Sequence, residues 1–320
     1  MNHSDSQTSP SSLWDGSQSI GYEPWREAYP WVGEWLTLRD GRLHYIDGGA
    51  PTVASTQLRA PQTILCVHGN PTWSYYFRQV VSRFGRSARV VVPDHLGMGL
   101  SDKPSGAVYT YAAHRDRLVH LIDHLDLRSI TLVAHDWGGA IGLGAALQRP
   151  GRFSRLILLN TGAFPPPYVP WRIAICRWPL LGPFLVRGCN IFARAAIHMA
   201  MSQRRLSARD RQGLLYPYDS WAHRIGIWNF VHDIPMHSDQ ATWRELAQLE
   251  VGLQQLRHLP VTLIWGMRDW CFRRECLTRL QQAFPDARTV ELADAGHYVL
   301  EDAPDEVLHE IAESCRLNEG

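Results

Sequence analysis

The chain has 320 residues, 45% hydrophobic and 20% charged, with a formal net charge of +1. That is the composition of an ordinary globular protein, long enough for one large α/β domain with an insertion or for two domains. Charge so near balance gives no global attraction for nucleic acid, and no apolar run approaches the roughly 20 residues of a membrane span.

The first twenty residues hold seven serines and few apolar residues. They lack the apolar core of a signal peptide, so residues 1–22 are expected to form a disordered tail on a cytoplasmic protein. Leu43-His44-Tyr45-Ile46-Asp47 alternates as one strand of a hairpin. Apolar or β-branched runs follow at 63–67, 89–92, 130–134, 156–159, 261–265 and 289–292. Helical patterns lie between several of them, as at 111–125, where Leu118, Leu121, Ile122 and Leu125 share a face. Continuous apolar strands alternating with helices predict an α/β fold, a mostly parallel eight-stranded sheet covered by helices on both faces. The alternation stops at 162–259, which opens with Ala163-Phe164-Pro165-Pro166-Pro167 and reads as a helical cap inserted after the sixth strand. The core is then 23–161 with 260–320. The six cysteines (66, 176, 189, 271, 276 and 315) are scattered. In a cytoplasmic chain of this size they are expected to be free thiols.

Val133-Ala134-His135-Asp136-Trp137-Gly138-Gly139 carries the chemistry. An apolar strand enters it and a helix of small residues leaves it, the strand, tight turn and helix that presents a nucleophile, with Asp136 at the central position. A carboxylate there attacks carbon and leaves an ester or anhydride for a second step to break. His297, between the last strand and a helix beginning near Pro304, is the candidate base. Asn160 leaves the end of the sixth strand without an acid, whereas Trp265-Gly266-Met267-Arg268-Asp269 ends the next one in a turn with an aspartate. Asp269 is therefore the expected orienting acid, and Asp294 the weaker rival. Asn70, in His68-Gly69-Asn70-Pro71, and the indole of Trp137 can both donate to an anion. Asp94-His95-Leu96-Gly97-Met98-Gly99-Leu100-Ser101 has neither a phosphate-loop lysine nor dinucleotide-binding spacing, and reads as a fold-closing turn. No HExxH or paired CxxC motif occurs, so neither a catalytic metal nor a cofactor is expected.

Together, the segments His68–Ser74, Asp94–Ser101, His135–Gly139, Trp265–Asp269 and Gly296-His297 resemble the haloalkane dehalogenase branch of the α/β-hydrolase superfamily. The likeness runs from about Leu43 to the C-terminal helix, and the pairing of Asn160 with Asp269 is that of the third dehalogenase subgroup. Within the branch, Tyr216-Pro217-Tyr218-Asp219-Ser220-Trp221 and His232-Asp233-Ile234-Pro235 look like the β-lactone decarboxylases of bacterial long-chain olefin synthesis. The resemblance implies a lyase turning a cis-dialkyl β-lactone into a cis-alkene and carbon dioxide, with an apolar small-molecule substrate. The alternative is a dehalogenase that displaces halide through an Asp136 ester. A more remote epoxide hydrolase would need two cap tyrosines, for which only Tyr216 and Tyr218 offer themselves.

Between Pro165 and Ser207 lie six arginines (172, 177, 187, 194, 204 and 205) and no acidic residue. They read either as solvated arginines over a packed cap or as a basic surface for membrane lipid or a pathway enzyme. The resemblance favours assembly with a β-lactone-forming synthetase. A homo-oligomer is left open by the sequence.

Overall fold

The computed structural model describes residues 23–49 and 62–317, so the expected tail at 1–22 lies outside the described residues. Eight strands form one sheet: β1 (Glu34–Leu38), β2 (Gly41–Gly48), β3 (Thr63–Val67), β4 (Arg89–Pro93), β5 (Ile130–Asp136), β6 (Phe153–Thr161), β7 (Val261–Gly266) and β8 (Arg288–Leu292). Their order is β1-β2-β4-β3-β5-β6-β7-β8. The β1/β2 and β2/β4 pairs are antiparallel and the rest parallel. Every residue of β3, β5 and β7 is buried. Successive side chains leave opposite faces of a strand, so both faces of the central sheet are covered, as continuous apolar runs require.

The alternation read in β2 is not an alternation in burial: Leu43, His44, Tyr45 and Ile46 are all buried. His44 tolerates this because its Nδ1 donates to Asp94 Oδ2 at 2.8 Å. Asp94, fully buried at the end of β4, also accepts from the Ser74 amide at 2.6 Å and the Leu100 amide at 3.0 Å. The Asp94–Ser101 turn therefore ties three segments together, and a buried carboxylate with these partners is satisfied rather than stranded.

Three core helices are α1 (Arg78–Phe84), α2 (Tyr111–His124) and α3 (Trp137–Gln148). Thr110 caps α2, accepting from the Ala113 amide, and α3 is built from Gly, Ala and Leu that let it lie close to β5 and β6. Between Thr161 and Val261 the described chain is helical, with no strand. Part of that segment belongs against the core: Arg78 of α1 bridges buried Glu301 and Asp210 of helix Ala208–Leu215. Other parts of it, with Ile173, Phe192 and Met199, stand over Asp136 at the carboxyl end of β5. All six cysteines are free thiols. Among the described residues no helix is long and apolar enough to cross a membrane.

Candidate active site

The chain steps from β3 outward to β4 and then returns to β5 on the other side of β3. Such a reversal opens a crevice at the carboxyl ends of the two central strands. His68-Gly69-Asn70 leaves β3 there and Asp136 ends β5. Asp136 has φ 54° and ψ −129°, a conformation L-residues avoid, and it stands at the N-terminus of α3. The turn holds because nothing bulky surrounds it. A side chain at Gly138 would run into the Val67 carbonyl, and one at Gly69 into the Asp136 carboxylate. Thr161 on β6 donates its hydroxyl to the Asp136 carbonyl.

The Asn70 amide donates to Asp136 Oδ1 at 2.7 Å. Burial raises the Asp136 carboxyl above its ordinary pKa, partly offset by the charge of His297 and by the amides of Asn70 and Trp137. His297 Nε2 lies 3.6 Å from Asp136 Oδ2, and its Nδ1 donates to Asp269 Oδ2 at 2.8 Å. Burial alone would lower the imidazole, but the charge and hydrogen bond of Asp269, with the charge of Asp136, raise it overall. The ring stacks on Phe272 at 5.6 Å, and its backbone carbonyl accepts from His135 Nε2 at 2.9 Å.

Above these residues is a cavity of about 490 Å³. Asn70, Asp136, Trp137 and His297 line its floor, and its walls come from apolar cap residues such as Ile173, Phe192 and Met199. This is the size range of small-molecule sites. Among the described residues nothing accepts from the Trp137 indole N–H. Asn70 makes two contacts at the site. Its backbone reaches Asp136, while its side-chain amide donates to the Ile227 carbonyl at 3.3 Å and so ties the site to the cap.

The other candidates fall away from this center. Asp294 is exposed and pairs with Arg268 at 3.0 Å, not with His297. Tyr216 packs on Trp25 at 4.4 Å, and buried Tyr218 donates to the Thr72 carbonyl at 3.3 Å. Neither lines the cavity, so Tyr216 and Tyr218 are not placed to open an epoxide there.

A family model described as the alpha/beta hydrolase fold matches residues 62–188 and 194–304. The chain is an α/β hydrolase. It is 39% identical over 288 residues to a cis-3-alkyl-4-alkyloxetan-2-one decarboxylase of Shewanella oneidensis, covering 88% of this chain and 87% of that protein. A protein of the same description from Xanthomonas campestris is 40% identical over 286 residues, covering 86% and 92%. Haloalkane dehalogenase 2 of Mycobacterium tuberculosis is 31% identical over 305 residues, covering 92% and 99%. Among solved structures, the haloalkane dehalogenase DatA of Agrobacterium tumefaciens superposes with a TM-score of 0.78 at 23% identity, covering 90% of this chain and 97% of that one. This α/β hydrolase therefore belongs to the branch that holds haloalkane dehalogenases and β-lactone decarboxylases.

Two supports of the site escaped the sequence reading. Asn160, noted there only for not being an acid, donates to Asp269 Oδ2 at 2.9 Å and to the Gly266 carbonyl at 3.1 Å. Its Oδ1 accepts from the Gly266 amide at 2.7 Å. It clamps the end of β7 and steadies Asp269 at once. Fully buried Asp302 accepts from the amides of Gly296 at 2.7 Å, Ser202 at 2.8 Å and Arg204 at 2.8 Å, joining the His297 loop to the cap. The only signal was its place five residues after His297 and just before the Ala303-Pro304 helix start. Asn160→Ala leaves the Gly266 amide and carbonyl unpaired in the interior. Chemical denaturation is expected to show a loss of about 2–4 kcal/mol.

Proposed function

We propose that this α/β hydrolase decarboxylates cis-3,4-dialkyl β-lactones, with Asp136 as nucleophile, His297 in proton transfer, Asp269 orienting His297, and Asn70 with Trp137 holding negative charge. The observation that carries the reading is the 39% and 40% identity to two named β-lactone decarboxylases over most of both chains, against 31% to the dehalogenase. The site supports a particular order of bonds. The Asn70 amide, an oxyanion donor in related folds, is already on Asp136 Oδ1. That favours attack by Oδ2 on the saturated ring carbon bearing oxygen over attack on the lactone carbonyl.

In the first step Asp136 Oδ2 forms an ester to that carbon as its ring C–O bond breaks, the electron pair passing to the freed carboxylate. His297, protonated, gives a proton to that oxygen and takes it back. In the second step the bond to the carboxylate carbon breaks and its pair becomes the C=C bond. The ester C–O bond breaks with it, and its pair returns to Asp136. Carbon dioxide and alkene leave, and neither water nor a net proton is consumed. Inversion at the attacked carbon followed by anti elimination keeps the alkyl groups cis. A synthetic cis-dialkyl β-lactone incubated with the protein should release cis-alkene; no alkene above background refutes the reading.

The second reading is halide displacement, favoured by the unengaged Trp137 indole facing the cavity beside Asn70. There Asp136 displaces halide, and neutral His297 activates water to hydrolyse the ester. The two readings need opposite states of His297, whose pKa is raised, and the same ionised Asp136, whose pKa is raised too. The lactone rate should fall on both sides of a maximum. It falls at low pH as Asp136 protonates and at high pH as His297 loses its proton. The haloalkane rate should instead rise through the His297 titration to a plateau. Rate profiles of both substrates on one preparation measure this.

A further inference from the structure

The cap carries an exposed face that the reaction does not use. Leu180 is 89% exposed, Trp171 71%, Trp178 60% and Phe184 58%. Monomeric proteins scatter single exposed apolar residues, but a cluster of large ones marks a contact surface. These four fall within fifteen residues of chain, and the exposed Trp221 joins them. Phe184 and Trp221 flank Gly188, where a Cβ would meet their rings at 3.4 and 3.7 Å. Leu180 has φ 63°, so its backbone is strained as well as its side chain exposed.

Arginines stand over the rings of this face. Arg187 lies over the Trp221 ring at 4.6 Å, and Arg172 over Trp171 at 5.5 Å. Among the described residues Arg172, Arg187 and Arg194 pair with no carboxylate, whereas Arg204, further along, reaches Asp305 at 3.7 Å. The face also borders the cavity: Trp171 and Ile191 are exposed and line it at the same time.

We propose that this face docks on an anionic lipid bilayer, with Trp178, Leu180 and Phe184 entering the headgroup region and Arg172, Arg187 and Arg194 on lipid phosphates. The combination of protruding aromatic and aliphatic tips with unpaired arginines is that of interfacial anchors. A second copy docked through the same face about a twofold axis would bring two sets of unpaired arginines together. Bordering the cavity, the docked face opens the site toward lipid, so that an apolar substrate enters and its product leaves without crossing water.

The test is cosedimentation of the full chain with vesicles of phosphatidylcholine alone and of phosphatidylcholine with an equal part of phosphatidylglycerol. The parent chain should partition onto the anionic vesicles, lose that binding as salt is raised, and shift its tryptophan emission to shorter wavelength. Each charge near a bilayer contributes about fivefold in partitioning, so Arg194→Glu should lower it about twenty-five-fold. Leu180→Asp, at a fully solvated tip where the fold has nothing to lose, should also release the chain. Equal partitioning onto both vesicle types, or variants that bind as the parent does, overturns the proposal. So does an absence of vesicle binding while an acidic protein or a second copy shields these tryptophans.

Discussion

Asp136→Asn is expected to lower turnover of β-lactone and haloalkane alike by 10⁴-fold or more, the scale on which losing a nucleophile acts. The substitution is nearly isosteric. The carbonyl oxygen of Asn can keep the bond from the Asn70 amide, now 2.7 Å from Oδ1. What is lost is the second oxygen, the one 3.6 Å from His297 Nε2. An amide nitrogen there cannot displace a leaving group. Stability should move the other way. Burial raises the Asp136 carboxyl, so the folded chain binds that proton more tightly than the unfolded chain does. Its ionised form therefore opposes folding above the unfolded carboxyl range, and relief comes only as the pH falls through the folded value. The neutral Asn removes that cost. Thermal unfolding at neutral pH should give the variant a midpoint equal to or above that of the parent. A variant losing both activity and midpoint would mean a damaged fold and not a missing nucleophile. Sites that spend stability on chemistry behave this way.

The parts of this molecule that could be read from sequence are those where one local pattern has one structural meaning. The parallel strands are such parts: β3 and β7 are buried on both faces and so are written as unbroken apolar runs. The strand, turn and helix around Asp136 is another, because only small residues fit beside Val67 and Thr161. His297 and Asp269 could be placed because each follows a strand end. Their supports could not. Asn160 and Asp302 act on backbone amides more than ninety residues away in the case of Asn160 to Gly266 and of Asp302 to Ser202. Neither partner leaves a mark in the neighbouring sequence. The contact of Asn70 with Asp136 was not legible either, since it is made by the backbone amide and a sequence displays only side chains. Tyr216 and Tyr218 were plausible by type alone, and the short helix that holds them turns both away from the cavity.

His297→Phe is the substitution that separates the two chemistries. It preserves the stacking on Phe272 and removes both ring nitrogens, so Asp269 loses its 2.8 Å partner and Asp136 its neighbour. Removing a general acid or base costs about 10²–10⁴-fold in rate. Where that loss falls depends on the reaction. With a haloalkane, displacement needs only Asp136 and the anion donors, and hydrolysis of the ester needs activated water. The variant should release one halide per chain and then stop, its mass increased by the alkyl group. With a β-lactone, ring opening is the step that His297 assists, and the ester then decomposes by losing carbon dioxide with no water involved. Alkene should appear slowly and no adduct should persist. Oxygen labelling of the parent protein completes the contrast. Hydrolysis at the Asp136 carboxyl carbon puts an oxygen from heavy-oxygen water into that side chain, whereas elimination returns the original oxygen to it. Unlabelled Asp136 after many turnovers of lactone, against labelled Asp136 after turnovers of haloalkane, is the expected pair of results. Label entering Asp136 during lactone turnover would mean that water, not elimination, opens the ester.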